Sequence, residues 1–106
     1  LNLANMYQRM RKYDLAFDYY QRALEESKNL TDKDAKGTVY LNLGNSYYER
    51  RETDKALSYY QQALAIFEDL GNTEAVVQSL NNIVTVYGTK GEFNRALKIC
   101  RQASEL

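Results

Sequence analysis

The stretch Leu41-Asn42-Leu43-Gly44-Asn45-Ser46-Tyr47 decides the fold, because the chain has a near copy of it forty residues earlier, Leu1-Asn2-Leu3-Ala4-Asn5-Met6-Tyr7. The correspondence extends outward. Tyr19-Tyr20-Gln21-Arg22-Ala23-Leu24 returns as Tyr59-Tyr60-Gln61-Gln62-Ala63-Leu64, and residues 1–30 match 41–70 at 14 of 30 positions. A weaker third copy follows. Residues 41–66 match 81–106 at 7 of 26 positions, among them Asn82, Tyr87, Glu92, Ala96-Leu97 and Gln102-Ala103. Tyr7, Tyr47 and Tyr87 stand 40 apart, as do Ala16, Ala56 and Ala96. A period of this length marks supersecondary units that bury their apolar faces against one another.

Each unit predicts two helices. Over residues 35–50, Val39, Tyr40, Leu43, Gly44 and Tyr47 share one side, while Thr38, Asn42, Asn45 and Glu49 share the other. A second helix is predicted from about Thr53 to Asp69, with Ala56, Leu57, Tyr60, Ala63, Leu64 and Phe67 as its apolar stripe. Asp32 and the equivalent Asn72 are expected N-caps, with Thr31 and Asp34 as an alternative capping box. Gly71 stands where a helix should stop, and Gly91 marks the turn inside unit three. Unit two has Arg51-Glu52 there and no glycine. Small residues at fixed positions (Ala16, Ala56, Ala96, and Ala4 and Gly44) let helix axes approach closely. Val84 replaces the small residue in unit three, so a wider pair is expected there.

Composition excludes several function classes. The 106 residues carry 14 basic and 14 acidic side chains, spread as +5/−4 over 1–28, +5/−7 over 29–70 and +4/−3 over 71–106. Nothing basic enough for a phosphate backbone emerges, so a nucleic-acid partner is not expected. No apolar run approaches the roughly 20 residues of a membrane span. Histidine is absent, which removes the commonest general base and metal ligand. Cys100 is the only cysteine and can form neither an internal disulfide nor a thiolate cage. Neither a glycine-rich phosphate loop nor a nucleophile elbow is present, so the chain is read as a non-enzyme without metal or cofactor. The lone cysteine and the lack of a signal pattern suggest a cytoplasmic setting.

These residues resemble the tetratricopeptide repeat, whose pattern is bulky-x-x-Leu-Gly-x-x-Tyr followed by Ala-x-x-x-Phe. Unit two gives Tyr40-x-x-Leu43-Gly44-x-x-Tyr47 and Ala56-x-x-x-Tyr60. Unit one gives Leu3-Ala4-x-x-Tyr7 and Ala16-x-x-x-Tyr20, and unit three Leu80-x-x-Ile83-Val84-x-x-Tyr87 and Ala96-x-x-x-Cys100. The 40-residue period and the missing closing proline are similar to a subclass that includes Leu-Gly-Asn-repeat scaffolds, kinesin light chains and bacterial peptide-pheromone receptors. The resemblance implies an all-α, right-handed superhelical array of antiparallel helix pairs, an α-solenoid of about three units and six helices. It would be one domain over 1–106, with units at about 1–30, 33–70 and 73–106. Unit one would lack its start and unit three a polar cap, so a piece of a longer array is expected, or one whose apolar ends pair with another copy.

In such arrays the first helix of each unit lines a concave groove. The groove positions carried over are Asn2, Asn5 and Arg9; Thr38, Asn42, Asn45 and Glu49; and Gln78, Asn82, Thr85 and Thr89, with Tyr48 at the groove edge. An asparagine offers one acceptor and two donors, matching a peptide unit. A ladder of them implies capture of an extended segment of a protein partner by its main chain. The competing reading has the same amides bridging neighbouring helices, with the apolar ends or the convex face making the contacts. Chaperone-tail clamps of the family use three cations, but Leu1, Gln78 and Asn82 stand at those places beside the matching Asn5 and Asn42. A free carboxylate would find no charge partner there. The repeat tyrosines Tyr7, Tyr47, Tyr87, Tyr20 and Tyr60 are expected in the core. Cys100, at the place of Tyr20 and Tyr60, is expected to be a buried small hydrophobe. Asp14, Asp54 and the facing lysines are expected to be helix-end and i,i+4 charges, and Arg9, Arg11, Lys12, Arg50 and Arg51 solvated turn charges.

Overall fold

The computed structural model describes residues 13–27 and 32–105. They form five helices and no strand: α1 (Tyr13–Ser27), α2 (Lys33–Glu49), α3 (Thr53–Leu70), α4 (Thr73–Thr89) and α5 (Phe93–Ser104). Each packs against its neighbours in sequence, so the elements form a row of hairpins. Helices α2 and α3 are the pair of unit two; α4 and α5 are the pair of unit three. Among the expectations above, those on residues 1–12 and 28–31 lie outside the described residues.

The termini follow the residues. Asp32 caps α2, its Oδ1 accepting from the Ala35 N–H at 3.2 Å, and Asn72 caps α4 through Ala75 at the same distance. Asp32 is thus the N-cap of α2; Thr31 of the alternative box lies outside the described residues. Helix α3 stops at Gly71, whose φ of 69° lies in the left-handed region. The Gly71 N–H donates to the Glu68 carbonyl and the Asn72 N–H to that of Phe67, a Schellman closure. The turn inside unit three closes in the same way with Gly91 at φ 77°. Unit two repeats this geometry without glycine. Arg51 itself takes φ 63°, its N–H donating to Tyr48 and that of Glu52 to Tyr47. A side chain in this region costs about 1–2 kcal/mol.

The core is built from the repeat positions. Tyr20, Val39 and Leu43 form one cluster between α1 and α2. The larger one runs from Leu41 and Tyr47 through Ala56, Tyr60, Ala63 and Phe67 to Val76, Leu80, Ile83, Val86, Tyr87 and Ala96. Helix α2 is buried on two sides, because α1 and α3 both pack against it. Close approach depends on two glycines. A Cβ on Gly44 would lie 2.5 Å from Cε1 of Tyr60, and one on Gly37 would lie 2.7 Å from Cζ of Phe67. Both rings are buried, so the absence of a side chain lets α2 and α3 meet.

Two expectations need correction. Cys100 is exposed, not buried. Helix α3 is packed by α2 and α4, whereas α5 packs chiefly against α4 among the described elements. The thiol is also too short to replace the Tyr60 ring, and Val84 stands where Gly44 admits that ring. Asp54 does sit in the first turn of α3, but its partner is distant in sequence: the Lys90 ammonium at 2.6 Å, joining units two and three.

Candidate peptide-binding groove

The side of α2 that carries Thr38, Asn42 and Asn45 faces the side of α4 that carries Gln78 and Asn82, across a hollow of about 250 Å³. The helical period explains the juxtaposition. Asp34, Thr38, Asn42 and Asn45 follow one another at four, four and three residues, and Glu74, Gln78 and Asn82 at four. Leu41, Phe67 and Ala75 form its apolar floor. Eight of the eleven lining residues are polar, which does not suit a buried apolar ligand.

Hydrogen bonding divides the amides. Asn45 is partly committed, because its Oδ1 accepts the Tyr60 hydroxyl from α3. Its NH2 group keeps both donors. The bond is tied to burial, which pushes the Tyr60 hydroxyl well above the ordinary tyrosine pKa; the nearby Tyr48 and Glu49 add to the shift. The side chains of Asn42, Gln78 and Asn82 make no hydrogen bond to a described residue. Thr38 donates to the Asp34 carbonyl at 3.1 Å, leaving only acceptor capacity toward the hollow.

A second hollow, of about 620 Å³, lies at the finishing ends of α2 and α4. Tyr48, Glu49 and Thr89 line it, with Arg51 and Lys90 from the turns and Thr53 from the start of α3. Thr89 donates its hydroxyl proton to the Thr85 carbonyl. The 2.9 Å contact between Tyr48 and Thr89 therefore has the tyrosine as donor. The Lys90 ammonium is held charged above the usual lysine range, chiefly by its hydrogen bond to Asp54.

The sequence-derived positions thus divide in three. Thr38, Asn42, Asn45, Gln78 and Asn82 share the first hollow, and Tyr48, Glu49 and Thr89 share the second. Thr85 lines neither; it is exposed and its hydroxyl donates to the Asn81 carbonyl. Asn2, Asn5 and Arg9 lie outside the described residues. Asp34, Asn72 and Glu74 line the first hollow and were not expected there. The signal for Asp34 and Glu74 was the same four-residue spacing, continued one turn toward each helix start. Among the described residues, no three His, Cys, Asp or Glu side chains gather as a metal site, and no helix is long and apolar enough to cross a membrane.

The tetratricopeptide repeat model matches residues 1–69, well over half of the chain, and a second tetratricopeptide repeat model matches 76–106. The chain belongs to the tetratricopeptide repeat family. Family members are protein-interaction scaffolds, and the fold is typically non-catalytic. No curated protein matches this chain. Solved structures share its fold, among them the following three. The apo form of RapI is 25% identical with a TM-score of 0.87, the match covering 94% of this chain and 28% of that one. BtubC (BKLC) from P. vanneervenii is 31% identical with a TM-score of 0.90, covering 98% of this chain and 43% of that one. The tetratricopeptide domain of Arabidopsis FLU is 19% identical with a TM-score of 0.90, covering 98% and 87%. The chain therefore spans less than half the length of RapI and BtubC.

Proposed function

We propose that the chain binds an extended segment of a partner protein in the hollow between α2 and α4, by hydrogen bonds from an amide ladder to the segment's main chain. The observation that carries this reading is the idle hydrogen-bonding capacity of Asn42, Gln78 and Asn82, all on one open surface. Asparagine is a mediocre helix former, so amides repeated at these positions need a reason beyond helix stability. Asn45 belongs to both readings: its carbonyl braces α3 through Tyr60, and its NH2 group remains for a ligand carbonyl. Each contact contributes about 0.5–1.5 kcal/mol net, so affinity in the range of roughly micromolar or weaker is expected. Asn2, Asn5 and Arg9 would extend the ladder, and Tyr48 and Glu49 would border it. The setting would be cytoplasmic.

Fluorescence anisotropy with a pool of labelled, terminally blocked neutral nonapeptides tests this. Asn42→Ala/Asn82→Ala should weaken binding about tenfold, the loss of two such hydrogen bonds. Equal affinity of the two proteins would contradict it.

A second reading has one specific observation in its favour. Phe93 and Leu97, one turn apart on α5, are 66% and 56% exposed, and Cys100 continues their stripe. A second copy meeting this face would give self-association with no peptide. Sedimentation velocity across a concentration series separates the two. A dimer that Leu97→Glu abolishes and Asn42→Ala/Asn82→Ala leaves intact would favour the second.

A further inference from the structure

We infer that the groove selects a segment carrying a lysine or arginine, whose side chain reaches the helix-start end of the first hollow between Asp34 and Glu74. This rests on the reading of the groove given above and adds the chemical class of its ligand. The two carboxylates occupy the same repeat position, forty residues apart, in the first turns of α2 and α4. Both line the hollow that holds the amides, and among the described residues no lysine or arginine lines it. Neither forms an ion pair with a described residue, although cations stand nearby. The Lys33 ammonium pairs with Asp69 at 3.0 Å, and that of Lys36 lies over the Tyr40 ring. Thus, among the described residues, the hollow that offers main-chain hydrogen bonds is lined by two negative charges and no positive one.

Placement fits a long side chain. Asp34 lies eight residues before Asn42, and Glu74 eight before Asn82, which is about 12 Å along each helix. A segment crossing α2 and α4 at the asparagines has side chains alternating to either side of its main chain. Those pointing toward the helix starts meet Thr38 and Gln78 first, then the carboxylates. A lysine or arginine, with the arm of the carboxylate itself, spans that distance, and a short side chain does not. An acidic side chain on that side would face like charge from Asp34 and Glu74, so acidic segments are selected against.

Three pools of terminally blocked nonapeptides, otherwise randomised over neutral residues, provide the test: centre fixed as arginine, glutamine or glutamate. Affinity is read by anisotropy against the full chain. The arginine pool should bind about fivefold tighter than the glutamine pool, what an exposed ion pair supplies, and the glutamate pool weakest. The arginine preference should shrink with added salt. In Asp34→Asn/Glu74→Gln the arginine and glutamine pools should bind alike. Glu74→Gln alone, with its helical circular dichroism checked, covers the case in which the double variant does not fold. Equal binding of all three pools to the unsubstituted chain, weakened by Asn42→Ala/Asn82→Ala, would overturn the charge preference and leave the ladder standing. A preference for glutamate, or an arginine preference that survives both acid substitutions, would also overturn it. Binding of no pool would overturn both readings.

Discussion

Units two and three share a spacing and a few repeat positions, among them Tyr47 and Tyr87 and Ala56 and Ala96, yet their second helices end in different environments. Helix α3 buries Ala56, Tyr60, Ala63 and Phe67; α5 buries Ala96 alone. Of their many sequence differences, one pair of positions bears on this directly. Unit two sets Gly44 against Tyr60, with the ring inside the space a Cβ would need, and unit three has Val84 and Cys100 there. The environment differs too, since α3 has a helix on each side and α5 has α4. A repeat motif therefore fixes which face of a helix is apolar, and the neighbours decide whether that face is buried.

The largest expected effect breaks the comparison at its centre. Tyr60→Ala should cost about 3–5 kcal/mol in urea unfolding, the range for deleting a buried aromatic ring, while Cys100→Ala should fall within about 0.5 kcal/mol. Similar losses at both sites would mean that α5 is covered as α3 is.

Titration sharpens the same contrast. Burial raises the pKa of Tyr60, and of Tyr20 and Tyr47, above the usual 10.0. The unfolded chain then loses these protons first as pH rises. Their contribution is fully present below pH 10 and declines above it. The melting temperature should hold from pH 7 to 9 and fall beyond 10, less steeply in Tyr60→Phe than in the parent.

Glycines in the two units should respond with opposite sign. Gly44→Ala forces a Cβ into the Tyr60 ring and should destabilise by about 1–3 kcal/mol, outweighing the gain in helix propensity. Gly88, in α4, has open space around it, so Gly88→Ala should stabilise by about 0.5–1 kcal/mol. The paired turns give a smaller and reciprocal effect. Arg51→Gly should stabilise by about 1 kcal/mol and Gly91→Ala should destabilise by a similar amount, since both positions hold a left-handed backbone.

Much of this was legible in the sequence. The helical pattern located the two helices of unit two within one or two residues, and the caps at Asp32 and Asn72 and the stop at Gly71 followed from residue type. The left-handed turn at Arg51 did not, because an arginine carries no signal for it; only its alignment with Gly91 does. Gly37 was missed because its partner, Phe67, is peculiar to unit two, with Ser27 at the unit-one place. The burial of Cys100 was misjudged because position within a repeat says nothing of what lies beyond the helix. On the groove, periodicity put Thr38, Asn42, Asn45 and Glu49 on one side of α2, and the family resemblance added Gln78 and Asn82 from α4. Neither could show that Asn45 braces Tyr60, or that Thr85 turns its hydroxyl back to its own helix, because both depend on side-chain conformation.

The most direct test of the central claim is two-dimensional 15N–1H NMR of the side-chain amides, with the arginine-centred nonapeptide pool added to the full chain. The account predicts that the NH2 pairs of Asn42, Asn45, Gln78 and Asn82 shift together, while the backbone amides of Phe93 and Leu97 stay in place. Shifts confined to Phe93, Leu97 and their neighbours on α5, with the four groove amides unmoved, would contradict it.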